Sequence, residues 1–137
     1  MIDSAAGAAT IRGVRTAAQR AGDEAEARVA ERLRAGGWQI LAIQERIGRA
    51  EIDLVAVDPG PPRELVIVEV RWRGRRDFGL PEETVDARKL TRLRHAGHVL
   101  RERGVLSEGS AVPRLPLRVD LIALEPGDRL RHYRHAG

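Results

Sequence analysis

Two acidic residues stand where this sequence should be driest. Asp53 lies within Glu51-Ile52-Asp53-Leu54-Val55-Ala56-Val57, and Glu69 within Leu65-Val66-Ile67-Val68-Glu69-Val70-Arg71. By strand alternation Ile52, Leu54 and Ala56 share one face, while Asp53 sits with Val55 and Val57 on the other. Both runs are therefore apolar on both faces, the pattern of strands covered on each side. A bare buried carboxylate costs several kcal/mol unless it is paired or bound to a cation. Three readings of these acids are open from the residues alone. Asp53 or Glu69 could pair with Arg71 or another arginine, or the strand ends could run out into solvent. The third is chemical: both acids converge on a divalent cation, for which carboxylate oxygens suit Mg²⁺ or Mn²⁺. Water and a substrate phosphate would fill the remaining positions.

The elements that must position these residues are legible from periodicity and punctuation. Thr16 and Gln19 stand at capping-box spacing, and a helix is expected from there to Ala35, stopped by Gly36-Gly37. Its core stripe is Ala18, Ala25, Val29 and Leu33, with Glu26 on the flank of that stripe. Strand-like runs follow at Trp38 to Glu45, Ala50 to Val57 and Glu64 to Trp72. Gly48 and the Pro59-Gly60-Pro61-Pro62 turn separate them, and connections this short favour an antiparallel meander. A second helix spans Ala87 to Arg103, with Asp86 as its N-cap and Leu90, Leu93, Gly97 and Leu100 as its seam. Leu106 to Pro113 reads as a loop and Leu117 to Leu124 as a fourth strand. Residues 1–14 read as a loose extension, 15–126 as one α/β domain and 127–137 as a basic tail.

Composition narrows the function classes. The 137 residues carry a net charge of +4 and no cysteine. That excludes disulfides, iron–sulfur clusters and thiol catalysis, and fits a cytoplasmic protein. No apolar run approaches the ~18 residues of a membrane span. The 24 basic residues include a single lysine, Lys89, and 23 arginines. No Gly-rich phosphate loop and no Gly-x-Ser-x-Gly elbow is present. The pairs His95/His98 and His132/His135 read as surface histidines.

The blocks Ala50-Glu51-Ile52-Asp53-Leu54-Val55-Ala56, Ile67-Val68-Glu69-Val70-Arg71-Trp72-Arg73 and Phe78-Gly79 together resemble the YraN-like family of bacterial proteins. Glu26 followed by Ala30, Leu33 and Gly37-Trp38-Gln39-Ile40-Leu41 fits that family's first helix and strand. Val85, Lys89, Leu93 and Ala96 fit its second helix, and Arg118-Val119-Asp120-Leu121-Ile122 its last strand. The family is similar to archaeal Holliday-junction resolvases. The resemblance therefore implies a restriction-endonuclease-like single α/β domain, ordered helix-strand-strand-strand-helix-strand, with a mixed central sheet flanked by helices.

The resemblance also implies a Mg²⁺- or Mn²⁺-dependent nuclease site. Asp53 and Glu69 look like its metal ligands and the Val70 carbonyl like a third oxygen. Glu26 looks like the helix-borne acid, acting directly or through water, and Arg71 occupies the position of a lysine. Arg73, Arg75, Arg76, Arg88, Lys89 and Arg92 are the expected phosphate-tracking residues; for Lys89 the alternative is a place near the site, since its helical spacing to Leu93 and Ala96 points it partly inward. The partner implied is branched or structured DNA, and a homodimer is expected by analogy. Three positions depart from the family pattern. Ala25 and Ala50 replace glycines, and Gln44 replaces an asparagine in the first strand.

Overall fold

The computed structural model describes residues 16–73 and 87–136. The first helix, α1, spans Ala17–Ala35 and opens on the expected capping box. The Thr16 hydroxyl accepts from the Gln19 N–H at 3.0 Å, and the Gln19 side chain accepts from the Thr16 N–H at 2.8 Å. Its buried stripe is Ala25, Glu26, Val29, Ala30 and Leu33, whereas Ala18 remains exposed in the first turn. Then come β1 (Gln39–Ile47), β2 (Ala50–Asp58), β3 (Glu64–Trp72), α2 (Ala87–Arg103), β4 (Leu117–Glu125) and β5 (Arg129–Tyr133). The two helices and the mixed sheet are those the sequence predicted. The strand β5 is an addition, formed within the segment read as a basic tail.

Spatial order equals sequence order, β1-β2-β3-β4-β5. The first three strands form the expected antiparallel meander, α2 carries the chain to a parallel pairing of β4 with β3, and β5 returns antiparallel. Among the described residues, each face of the sheet is covered by one helix. On the α1 face, Val29, Leu33 and Trp38 pack with Leu54, Ala56, Val66, Val68 and Ile122. On the α2 face, Leu93, Ala96 and Leu100 pack with Ile52, Val55, Leu65, Ile67 and Val119. This explains why β2 and β3 are apolar on both sides.

Gly97 sets the depth of the α2 packing. A Cβ there would stand 2.7 Å from the Ile67 side chain and 3.1 Å from Leu117, so only glycine lets the helix lie this close. Gly60 has φ +64, and a side chain on it would run into the Pro62 main chain, which pins the β2–β3 turn to glycine.

One expectation about β2 is overturned. Ile52 does not share a face with Leu54 and Ala56; it joins the α2-side cluster with Val55, while Leu54 and Ala56 join the α1 side. Alternation therefore breaks between Ile52 and Leu54, at Asp53. In β1 the residue between the Ile43↔Leu54 and Glu45↔Ile52 pairs is Gln44, which has φ +60. The two strands deviate together, opposite each other, so their register is kept while Gln44 and Asp53 are re-aimed.

Candidate active site

The backbone creates the site by letting two strands part. β2 and β3 pair from Asp58↔Glu64 to Leu54↔Val68, and there the ladder stops. β3 continues alongside β4 as far as Trp72, and β2 alongside β1 back to Ala50. The next residue pair would have been Asp53 and Glu69. Instead, Asp53 Oδ2 accepts the Val70 N–H at 2.8 Å, so a side chain replaces the missing ladder bond. An extended residue directs its N–H and C=O to the same side, so the Val70 carbonyl faces the same gap.

The three acids predicted for the site are brought together around this gap. Glu26, buried in α1, comes from one side, with its Oε1 accepting from Gln44 Nε2 at 3.0 Å. The same Gln44 nitrogen reaches Asp23 Oδ1 at 3.0 Å. Glu69, only 2% exposed, comes from the α2 side. Burial, then the negative charge of Glu69, drives the Asp53 carboxyl up to about 8, against the opposing hydrogen bond from Val70. Glu26 also adds to this rise. Burial likewise raises Glu26, with Gln44 and Asp53 hydrogen bonds opposing. Among the described residues no basic side chain forms an ion pair with Asp53. Among the described residues, the cost of burying Asp53 is therefore not offset by a cation.

Two cations stand on Glu69. Lys89 Nζ, from the first turns of α2, lies 2.7 Å from Glu69 Oε2, and Arg71 Nε lies 3.4 Å from the same oxygen. The Arg71 Nε is buried and makes no hydrogen bond among the described residues. The sole lysine of the sequence thus reaches the site from a helix, while an arginine occupies the strand position. Arginine stays charged and forks onto phosphate; lysine is the more readily deprotonated of the two.

As a donor set the site offers carboxylates of Asp53, Glu69 and Glu26 and the Val70 carbonyl. All are oxygen, the chemistry of a hard divalent cation. Among the described residues no three His, Asp or Glu side chains already close into a metal-holding group. Holding an ion there would draw on the main-chain carbonyl and on water for the remaining ligands, as Mg²⁺ usually does.

The other predicted residues divide. Arg73 is buried at the end of β3, Arg88 and Arg92 are exposed on α2, and Lys89 is half-buried at Glu69. Arg75 and Arg76, with Asp86 and the Phe78-Gly79 block, lie outside the described residues.

A second charged cluster went unpredicted. Arg118, on β4, is 2% exposed and donates to both oxygens of Asp120, each at 2.9 Å. It also donates to Glu64 at 2.7 Å and to Asp58 at 2.9 Å. Arg134 adds a bond to Asp58 at 3.0 Å, and His132 Nε2 lies 2.7 Å from Asp120 Oδ2. The reading of His132 as a surface histidine is thereby corrected: β5 carries its ring onto a buried aspartate. Trp38 lies against the guanidinium of Arg118, its ring centroid 5.5 Å from Cζ. The signal in the sequence was an Arg-x-Asp within an otherwise apolar strand, the same kind of anomaly that marked Asp53.

Among known proteins, the family model described as "Uncharacterised protein family UPF0102" matches residues 25–124. The chain belongs to that family. The match spans Glu26, Asp53, Glu69, Arg71 and Lys89, and ends before β5. A UPF0102 protein of Symbiobacterium thermophilum is 39% identical over 109 residues, covering 80% of this chain and 85% of the relative. A UPF0102 protein of Erythrobacter litoralis is 34% identical over 122 residues, covering 89% of this chain and 96% of its own. A third, from Moorella thermoacetica, is 41% identical over 88 residues, or 64% and 71% of the two chains. Among the described residues no helix is long and apolar enough to cross a membrane.

Proposed function

We propose that this UPF0102 protein is a Mg²⁺- or Mn²⁺-dependent, structure-specific DNA endonuclease acting in the cytoplasm. One observation carries the reading: Asp53 is suspended where β2 and β3 part, held by Val70 and crowded by Glu69 and Glu26. A fold under selection for stability alone gains nothing from concentrating acids in a gap; a cation site does. Asp53, Glu69 and the Val70 carbonyl would hold the ion, with Glu26 reaching it through water. A divalent ion there supplies a water of lowered pKa and a polarised phosphate.

The chain's own residues do the rest. Gln44 fixes the Glu26 carboxylate, and the Val70 N–H fixes Asp53, so neither acid has to reorganise. Arg71 would neutralise charge developing on the phosphate. Lys89, at Glu69, adds a second positive group that can also manage a proton. The exposed Arg88 and Arg92 extend the cationic surface along α2. Symmetric cutting of a branched junction would require two such sites, hence a homodimer.

The Lys89 and Arg71 contacts favour a second reading, in which they already compensate Glu69 and the domain binds DNA without cutting it. The deciding experiment is cleavage of four-way, branched and linear DNA with Mg²⁺ or Mn²⁺, using Asp53→Asn and Glu69→Gln as controls. The nuclease reading expects metal-dependent cutting that both substitutions abolish. Cutting that survives both, or DNA binding without any cutting, would overturn it.

A further inference from the structure

On the α2 side of the sheet, a groove of about 640 Å³ runs between the β1–β2 turn and the helix. Ile47, Ala96 and Val99 give it an apolar floor, and Arg49, Arg92 and His95 stand on its rim; among the described residues no acidic one lines it. Among the described residues none of these three rim side chains makes an ion pair or a hydrogen bond. Several exposed arginines elsewhere are engaged, among them Arg28 on Asp128, Arg114 on Glu102 and Arg34 on Glu31, whereas Arg63, Arg88 and Arg129 share the open state of the rim.

The groove and the acid site share one stripe of α2. Lys89, Arg92, Ala96 and Val99 follow at helical steps of three and four, so they form one stripe of α2. That stripe starts at Glu69, where Lys89 is bonded, and ends about 15 Å away at 1.5 Å of rise per residue.

We propose that this groove receives an unpaired nucleotide of the DNA strand whose phosphate lies at Asp53 and Glu69. The inference rests on the nuclease reading and narrows its substrate to DNA with a single-stranded segment beside the cleaved bond. A paired duplex offers a groove only phosphates and sugars; it would use the cationic rim and leave the floor wet. An unpaired base brings an apolar face of its own, while its flanking phosphates meet Arg49, Arg92 and His95. At ~3.4 Å per nucleotide, a reach of 15 Å corresponds to roughly four nucleotides from the acids. A peptide occupant would need carboxylates on its flanks and has no reason to lie on the stripe that starts at Glu69.

The test is fluorescence anisotropy in a chelator, so that nothing is cut. The probes are a blunt duplex, the same duplex with a thymine tail of roughly four nucleotides, the same tail made abasic, and an acidic peptide. The tail should tighten binding by about tenfold, and the abasic tail should lose that gain. The exposed Val99 offers a variant that need not disturb the core. Val99→Glu should bring tailed DNA down to the affinity of the blunt duplex, while Val99→Leu keeps the preference. A tail bound no better than blunt DNA, or a gain that survives Val99→Glu, would overturn the proposal. So would a peptide that binds as tightly and is lost with Val99→Glu, which would assign the groove to a protein. Cleavage abolished by Glu69→Gln without any tail effect would leave the nuclease reading standing and remove the groove. A tail effect without cleavage in Mg²⁺ would do the reverse.

Discussion

Two groups of buried charge sit along the β2–β3 pair, some five residues or about 16 Å apart along β2, and they are built on opposite terms. At the hairpin end, Arg118 faces Asp58, Glu64 and Asp120, with Arg134 and His132 closing the outer side. Burial pushes Asp58 and Asp120 up. For Asp58 it is outweighed by the Gly60 N–H, Arg118 and Arg134; for Asp120 it is outweighed by His132, Arg118 and the His135 N–H. Both carboxyls are therefore held below their ordinary range. At the open end, among the described residues, the same burial meets only the Val70 N–H on Asp53, which is driven up to about 8. One strand pair thus contains a saturated network and an acid site in deficit. The network closes the structure; the deficit is what a cation or a phosphate-bearing substrate could exploit.

The sharpest way to break this comparison is to remove the centre of each group and measure unfolding. Arg118→Met should strand up to three carboxylates in the core and cost about 3–5 kcal/mol, a large share of a domain's usual 5–15. Asp53→Asn should do the opposite and stabilise the protein by about 1–2 kcal/mol, because a neutral amide avoids the cost of keeping a buried carboxyl protonated near neutral pH. Chemical denaturation with an unchanged slope for each variant is the measurement. If both substitutions destabilise, the acid site is a structural network like the other.

Next in size is the effect of pH, where the two ends should have opposite signs. Asp53 is raised from an ordinary value near 3.8 to about 8, so between those values the folded state keeps a proton that the unfolded chain releases. Stability must then fall as pH rises through this window. Asp58 and Asp120 are lowered, so the unfolded chain takes up protons first on acidification, and stability is lost as pH falls below about 4. Asp53→Asn should flatten the upper limb and leave the lower one intact. An upper limb unchanged in that variant would show that Asp53 is not the group in deficit.

How much of this could be read from the sequence follows the same division. The elements and both helix-covered faces were legible, because α1, α2 and the doubly apolar strands leave strong periodic signals. Asp53 and Glu69 stood out because charge in an apolar run is costly, and the resemblance joined Glu26 to them and gave all three a common purpose. The irregularity at Gln44 and Asp53 was not legible: Asp53 was assigned a face by simple alternation, and Ile52 was put on the wrong one. The spacing of Lys89 to Leu93 and Ala96 already pointed it partly inward, toward the site, but its bond to Glu69 was not legible, since helix-to-strand contacts depend on the rotation of α2 and on how closely Gly97 lets it approach. His132 and β5 were missed for a different reason. A five-residue strand rich in arginine looks like tail until β4 offers it an edge.

The smallest expected effect probes the backbone device behind the deficit. Gln44 holds φ +60, a region that side chains rarely adopt and that asparagine tolerates better than glutamine. The conformation turns its amide onto Asp23 and Glu26, opposite the point where Asp53 leaves the regular strand. Local strain of this kind collects where a fold positions functional groups. Gln44→Asn should relax the backbone and gain less than ~1 kcal/mol, at the expense of the shorter amide's reach to Glu26. Gln44→Gly should gain a similar amount while releasing Glu26 altogether. If the site works as proposed, the glycine variant is the more stable protein and the poorer nuclease. A glycine variant that loses stability would mean that the hydrogen bonds at Gln44, and not the strain, dominate this position.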